Sequence, residues 1–157
     1  KSDELVNKEK VVEEKAVIEN TSYKICFIVF NDDGIVTRKQ ITRVARKNNS
    51  PLVTSINLLI NGPTQEERRK GCKTLIPEGT KLLSASIREG VAFLNFNEEF
   101  EFNKIGVDGY IAQLMQIVYT ATEYSTVNSV QILIDGQKKE YLSEGVWIGS
   151  PLSRSSF

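Results

Sequence analysis

Glu98, Glu99 and Glu101 form the densest group of carboxylates outside the N-terminal segment. Carboxylates this close together could bind a divalent cation or act as an acid–base pair, provided that their oxygen atoms converge. Neighbouring strand residues point to opposite faces, so only Glu99 and Glu101 could share one, and no second acidic cluster supplies further ligands. We therefore expect a solvent-exposed strand end here.

The chain of 157 residues contains no histidine. This excludes Ser-His-Asp and Cys-His hydrolases and His-containing zinc sites, whereas carboxylate, lysine or tyrosine chemistry remains possible. Cys26 lies in an apolar segment and is expected to be a buried, inert thiol. Cys72 follows a glycine in a polar loop and is expected to be the more exposed of the two. The sequence leaves a disulfide between them open.

Two glycine-containing loops share features with ligand-binding motifs. The segment 31–34 (Asn-Asp-Asp-Gly) lacks the alternating ligands and the closing glutamate of a calcium loop. Gly106 and Gly109 precede a predicted helix, but no Lys-Ser/Thr pair follows them as in a phosphate-binding loop. We predict a hairpin turn at the first loop and a helix entry at the second.

The charges of the chain balance, with 20 Lys+Arg, 20 Asp+Glu and a formal net charge of +0. A nucleic-acid partner would require a local basic stripe, and we assign none. No apolar run is long enough to cross a membrane, and residues 1–22 have no signal-peptide core. We expect no nucleic-acid partner, and contact with a membrane only through an anchor outside this chain.

Residues 1–22 differ in composition from the rest of the chain. They contain four Lys and six Asp/Glu but no Gly, Pro or aromatic residue. Such a segment buries little apolar surface, so we predict a charged, flexible N-terminal spacer. The domain is predicted to occupy residues 23–154, followed by a short tail at residues 155–157.

Strand-like patterns recur along the predicted domain. They occupy residues 23–30, 35–46, 81–88, 91–96, 130–134 and a weaker charged segment after Gly136. The first is almost continuously apolar, which is typical of a central strand covered on both faces. The second is expected to be exposed on one face and near an edge. Glu89 and Gly90 predict a tight hairpin between the third and fourth.

Two helices are predicted between the second and third strands. Ser50 is a candidate N-cap and Pro51 a candidate first residue for a helix over residues 51–60. Thr64 and Glu67 have the spacing of a capping box, which predicts a short second helix.

The longest helix is predicted over residues 109–124, with Asp108 as its N-cap. Its buried face is expected to comprise Ile111, Leu114, Met115, Val118, Ala121 and Thr122. The element order predicts a single-domain α+β protein, an α/β sandwich, with two principal helices packed on a mainly antiparallel sheet.

Two aromatic residues are candidates for an interface. Trp147 is the only tryptophan and lies between glycines near the C-terminus, as a core anchor or an interface residue. Tyr124, like Tyr119, is expected to pack with its hydroxyl at the surface. We retain Trp147 and Tyr124 as candidate interface residues.

Six short motifs follow one another in an order that resembles the GerMN domain. They are Gly62-Pro63-Thr64, Ile76-Pro77-Glu78-Gly79-Thr80, Glu89-Gly90, Gln116-Ile117-Val118-Tyr119-Thr120, Asp135-Gly136 and Pro151-Leu152-Ser153-Arg154. The resemblance covers about residues 23–154.

The resemblance implies a small domain related to ring-building motifs, in a family connected with sporulation and germination. It further implies a location outside the cytoplasmic membrane, often in lipoproteins, and no catalytic activity, cofactor or metal. The matched positions are expected to have structural roles; they are Gly62, Pro63, Thr64, Pro77, Gly79, Gly90, Gln116, Tyr119, Gly136, Pro151 and Leu152.

These observations together predict a non-enzymatic domain of the bacterial cell envelope, whose role is association rather than catalysis. It would bind protein partners, or a second copy of itself, through a helix face or a sheet edge. The alternative is a small-ligand or cell-wall-fragment binding protein, which would need an apolar pocket with convergent polar groups.

Overall fold

The computed structural model describes residues 19–157, so most of the predicted spacer lies outside the described residues. The described part has the predicted α+β composition. Its elements are β1 (Asn20–Phe30), β2 (Val36–Arg46), α1 (Pro51–Ile60), α2 (Gln65–Arg69), β3 (Leu82–Arg88), β4 (Val91–Phe96), α3 (Val107–Ala121), β5 (Ser129–Ile134) and β6 (Gln137–Lys138). Short 3-10 segments occupy Glu98–Glu101, Ser143–Gly145 and Arg154–Ser156.

The strands form two sheets, whereas the sequence predicted one. β1 and β2 make an antiparallel ribbon. β3, β4, β5 and β6 make a second sheet in that order, in which only the β4–β5 pairing is parallel. The expectation of mainly antiparallel pairing is therefore correct, and that of a single sheet is wrong.

The prediction that β1 is a central strand is also wrong, because no second strand among the described residues pairs along its other edge. That edge makes an isolated bridge from Ile28 to Lys73 and otherwise contacts α3. The Cys26 N–H donates to Oγ1 of Thr120 (3.0 Å), and the Cys26 carbonyl accepts from Nε2 of Gln116 (3.3 Å). These α3 side chains satisfy backbone groups that a neighbouring strand would otherwise pair. β1 is nevertheless buried on both faces from Ile25 to Ile28.

β1 also begins three residues earlier than predicted, at Asn20, which pairs with Arg46 of β2. The pairing of residues 20–22 with β2 therefore extends the domain into the segment predicted to be the spacer. β2 runs almost as predicted and alternates between half-buried and exposed residues over its second half.

The N-terminus of α1 differs from the prediction in its capping. The Ser50 side chain makes no capping hydrogen bond. Instead, Oδ1 of Asn48 accepts the Ser50 N–H (2.8 Å), and Nδ2 of Asn48 donates to Oγ1 of Thr54 (2.7 Å). Pro51 occupies the first turn as predicted. The asparagine side chain thus organises the helix entry that the sequence attributed to serine.

α3 begins at Val107 and is capped by Gly106, so the prediction of Asp108 as N-cap is wrong. Gly106 has φ 82, a left-handed conformation that favours glycine. Asp108 lies in the first turn, where its carboxylate interacts favourably with the helix dipole. Ile111, predicted to be buried, is 45% exposed. The buried face is instead lined by Tyr110, Leu114, Ile117, Val118 and Ala121.

The loop before α3 is fixed by Asn103. Its Nδ2 donates to the Leu75 carbonyl (2.8 Å) and to Oε1 of Gln113 (2.9 Å), and its Oδ1 accepts the Ile105 N–H (3.0 Å). A Cβ atom at Gly109 would lie 2.2 Å from Oδ1 of Asn103. Glycine at this position therefore permits the loop to pack directly on the first turn of α3.

One continuous core joins the two sheets and the helices. Phe27 of β1, Ile56 of α1, Leu94 of β4 and Ile117 of α3 are all fully buried in it. The ring of Phe100 stacks on that of Phe96, with centroids 4.4 Å apart. Burial of Phe100 holds residues 98–101 in a 3-10 helix rather than the strand end that the sequence predicted.

Candidate functional site

A cleft of about 510 Å³ lies between the outer face of the β1–β2 ribbon and α3. Lys24 and Cys26 reach it from alternate positions of β1, and Arg38 reaches it from β2. Tyr119 of α3 and Arg154 of the C-terminal 3-10 helix complete its other side. Three separate regions of the chain therefore converge here, and we call this feature the basic cleft.

Tyr119 is the centre of the basic cleft, since two arginines contact its ring. The guanidinium carbons of Arg38 and Arg154 lie 4.1 Å and 4.6 Å from the ring centroid. Both distances are within the range of cation–π attraction. The ring thus holds two like charges close together.

The two arginines differ in how many of their donors are used. Nε of Arg154 donates to Oγ1 of Thr122 (2.7 Å), Nη2 donates to the Tyr119 carbonyl (3.2 Å), and Glu123 lies 3.8 Å away. The guanidinium of Arg38 makes no hydrogen bond or salt bridge with any side chain or backbone group of residues 19–157. Arg154 is therefore anchored, and Arg38 retains its hydrogen-bond donors.

The electrostatics of the basic cleft follow from three cations, Lys24, Arg38 and Arg154, and one carboxylate, Glu123. Burial raises the pKa of the Cys26 thiol to about 11, while the charges of Arg38 and Arg154 act in the opposite direction. The thiol is therefore protonated at neutral pH despite the positive charge beside it.

Four exposed apolar side chains lie in the loop before α3 and in its first two turns. Phe102, Ile105, Val107 and Ile111 are 61%, 62%, 42% and 45% exposed. Val107 and Ile111 are four residues apart and share one helix face. We call these four residues the apolar surface.

The predicted interface residues lie apart from one another. Trp147 is partly exposed, its ring contacts that of Tyr141 edge-on at 5.2 Å, and its Nε1 donates to Oγ of Ser150. Tyr124 lies just beyond α3, and its hydroxyl is 2.5 Å from Oγ of Ser55 and donates to the Pro51 carbonyl. The Tyr124 hydroxyl is thus hydrogen-bonded to two residues of α1.

The motif positions Gly62, Pro63 and Thr64 lie where α1 ends and α2 begins. Gly62 has φ 82, and its carbonyl accepts from Nη2 of Arg43 (3.1 Å). Thr64 and Glu67 form the predicted capping box, with both reciprocal hydrogen bonds present. The Arg43 guanidinium is 2.6 Å from the Glu67 carboxylate and holds the pKa of that carboxyl below its usual range.

The remaining turn positions of the motifs shape the segments around the second sheet. The Pro77 carbonyl accepts the Thr80 N–H (3.2 Å). Gly79 and Gly136 both have positive φ. Gly90 also has positive φ in the β3–β4 hairpin, and its carbonyl accepts N–H groups from the chain entering β5.

Gln116, Pro151 and Leu152 connect distant parts of the fold. Oε1 of the buried Gln116 accepts the Leu75 N–H (2.8 Å), which complements its bond to the Cys26 carbonyl. Leu152 forms a backbone bridge with Val130 of β5, and the exposed Pro151 precedes it. The bridge brings the following residues, including the C-terminal 3-10 helix, to α3.

The expectation that Cys72 is the more exposed of the two cysteines is wrong. Cys72 is only 1% exposed, although it lies in a polar loop. Its N–H donates to the Glu67 carbonyl of α2. Both thiols are free, so the disulfide that the sequence left open is absent from this structure. No cluster of three or more acidic or cysteine side chains in residues 19–157 could hold a metal ion. Nor does any helix in that range have the length and apolarity needed to cross a membrane.

Solved structures with the same fold include tandem GerMN domains of the sporulation protein GerM from Bacillus subtilis, with TM-score 0.67 and 24% identity over 90% of this chain and 49% of that chain. The first GerMN domain of that protein gives TM-score 0.66 and 20% identity over 86% of this chain and 98% of that one. A predicted lipoprotein from Clostridium perfringens gives TM-score 0.61 and 24% identity over 87% and 89%. These structures show that the chain has the α+β fold of GerMN domains, and it spans about half the length of the tandem structure.

The sequence model of the Germane family, described as sporulation and spore germination, matches residues 24–140, which is most of the chain. The chain belongs to the Germane family. A comparison with curated protein sequences gives no significant match. The match to the Germane family and the similar solved structures together confirm the resemblance to GerMN domains.

Sequence reasoning missed both the basic cleft and the apolar surface. Arg154 belongs to a recognised motif, but nothing in the spacing indicated that it meets Arg38 across Tyr119. The apolar surface had a weak signal, because Phe102 and Ile105 lie among polar residues outside any strand-like pattern.

Proposed function

We propose that this chain is a non-enzymatic domain of the bacterial cell envelope that associates with a protein partner. Three findings support the proposal: the Germane family description, the sporulation protein that contains the similar tandem domains, and the similar predicted lipoprotein. The proposal includes an extracytoplasmic location and a lipid anchor outside this chain.

The apolar surface is the observation that carries the association. Solvent-exposed apolar side chains that lie together commonly mark protein–protein contacts. Phe102 and Ile105 lie on either side of Asn103, whose hydrogen bonds fix the loop. Val107 and Ile111 belong to α3, so all four side chains are presented on ordered backbone. A rigid apolar surface loses little conformational entropy when a partner covers it.

Site-specific photo-crosslinking in cells that produce the full-length protein tests this assignment. A photoreactive phenylalanine derivative replaces Ile105 in one variant and Ile35 in the control. These residues are a matched pair, because they are 62% and 58% exposed but Ile35 lies in the β1–β2 turn. We expect a discrete crosslinked protein, or a second copy of this chain, from position 105 and none from position 35.

A second variant links the crosslink to function. Ile105→Lys places a charge in the apolar surface and should reduce recovery of the identified partner by at least about ten-fold, while circular dichroism remains unchanged. Equal crosslinking from positions 105 and 35, or undiminished recovery with Ile105→Lys, would refute association through this surface.

The anchor is tested on the full-length precursor. Labelling with a radioactive fatty acid should incorporate label that fractionates with membranes. Absence of incorporation would contradict the lipoprotein part of the proposal, while the crosslinking result would still decide the association.

The alternative, a small-ligand or cell-wall-fragment binding protein, draws support from the basic cleft. Its volume of about 510 Å³ lies within the usual range of ligand pockets. The two functions are separable, because ligand binding in the cleft should survive Ile105→Lys.

A further inference from the structure

We propose that the basic cleft binds a ligand that carries an oxyanion, either a carboxylate or a phosphate, through the guanidinium of Arg38. This site is distinct from the apolar surface, and the inference does not depend on association with a protein partner.

The Arg38 guanidinium has hydrogen-bond donors that residues 19–157 leave available. A guanidinium has five N–H donors in a planar fork that matches the oxygens of a carboxylate or phosphate. The ring of Tyr119, 4.1 Å from the Arg38 guanidinium carbon, supports the group, while no residue among 19–157 accepts its hydrogen bonds. Stacking thus limits the motion of the side chain and leaves its donors available, which reduces the entropy lost on binding.

Positive charges outnumber negative charges in the lining of the basic cleft. Arg38 and Arg154 contact the same ring, and the carboxylate of Glu123 is 3.8 Å from Arg154. Lys24 adds a further positive charge to the lining. The Arg38 side of the cleft therefore has uncompensated positive charge, which a bound oxyanion would neutralise.

The basic cleft is larger than a single anion and is lined in part by apolar side chains. A volume of about 510 Å³ exceeds what a single inorganic anion needs. Val36 and Met115, which are both half-buried, contribute apolar surface beside the cations. The cleft therefore fits a molecule in which an oxyanion is attached to a less polar body.

Titration of the full chain, followed by NMR of the arginine Nε–Hε groups at constant ionic strength, tests the inference. Sodium phosphate and N-acetylglutamate serve as the two probes. We expect a saturable shift of the Arg38 signal with at least one probe, and no comparable shift of Arg46. Arg46 is a suitable internal control because it lies on the same strand and outside the cleft.

Variants separate a binding role from a structural one. Arg38→Gln should weaken binding of the effective probe by about ten-fold or more, the expected effect of losing a charged bidentate contact, whereas Arg46→Gln should change it by less than about two-fold. Arg38→Lys, which keeps the charge but loses the fork, should give an intermediate loss.

Each outcome is informative. Saturation by N-acetylglutamate alone assigns a carboxylate, saturation by phosphate alone assigns a phosphate, and saturation by both assigns the shared oxyanion chemistry. Non-saturable shifts with both probes, or equal losses in Arg38→Gln and Arg46→Gln, would overturn the proposal. Failure of the Ile105 crosslink would leave this result unaffected.

Discussion

Replacing Thr120 with valine should destabilise the domain, whereas the same replacement at Thr80 should leave it unchanged or stabilise it. Both threonines are buried, but Oγ1 of Thr120 accepts the Cys26 N–H at 3.0 Å. Oγ1 of Thr80 has no hydrogen-bond partner among residues 19–157. The pair therefore isolates the effect of one buried hydrogen bond at constant side-chain shape.

The magnitudes follow from what each substitution leaves behind. Thr120→Val leaves the Cys26 N–H buried without an acceptor, which costs about 1–3 kcal/mol, and the new methyl group regains up to about 0.8 kcal/mol. A net loss of about 1–2 kcal/mol is expected. Thr80→Val removes an unsatisfied hydroxyl and should raise the free energy of unfolding by up to about 1 kcal/mol.

Urea unfolding at pH 7, followed by far-UV circular dichroism, measures both changes. The m-values should remain those of the parent chain, so that midpoint shifts report stability. In thermal unfolding the two variants should differ in Tm by roughly 2–12 °C, because their stabilities should differ by about 1–3 kcal/mol and each kcal/mol shifts Tm by about 2–4 °C for a chain of this size. A neutral Thr120→Val, or a Thr80→Val that loses more than about 1 kcal/mol, would refute the reasoning.

Three further predictions concern other sites. Glu67→Gln should lower stability by about 1 kcal/mol at pH 7. The hydrogen bond from Arg43 lowers the pKa of Glu67 from 4.5, so this contribution to stability is present above pH 4.5 and is lost as the pH falls through the lowered pKa. The urea midpoints of variant and parent should therefore converge in acid. A constant separation between the two midpoints would contradict this prediction. Gly109→Ala should lower Tm by several degrees, since its Cβ would meet Asn103, although alanine normally favours helices; a raised Tm would be contrary. Cys26, with its pKa of about 11, should react with iodoacetamide at pH 8 only after unfolding, as mass spectrometry of the labelled peptide would show; rapid labelling of the native chain would exclude a buried thiol.

Local features of the fold were predictable because their causes lie within a few residues of sequence. Thr64 and Glu67 have the spacing of a capping box, and the structure contains both bonds. Glu89 and Gly90 adopt the positive φ values that a tight hairpin requires, and they connect the predicted strands. Pattern reading therefore identified the elements and the α+β class.

Features that depend on distant residues were predicted less well. Cys72 lies in a polar stretch, yet the fold over it buries the thiol. The Asp108 cap failed because Gly106, whose left-handed conformation sets the helix start, offers no side-chain signal. The basic cleft requires Arg38 and Arg154 to meet across one ring, and neither periodicity nor spacing encodes that meeting.

The hydrogen bonds between β1 and α3 bear on the order in which the domain can form during synthesis. Cys26 is joined to Gln116 and Thr120, which follow it by 90 and 94 positions. In a nascent chain that has emerged only as far as α2, the edge of β1 that later contacts α3 would be open to pairing with other strands. β1 can therefore pair with β2 as soon as both have left the ribosome, but the Cys26 backbone groups find their partners only after α3 has also emerged.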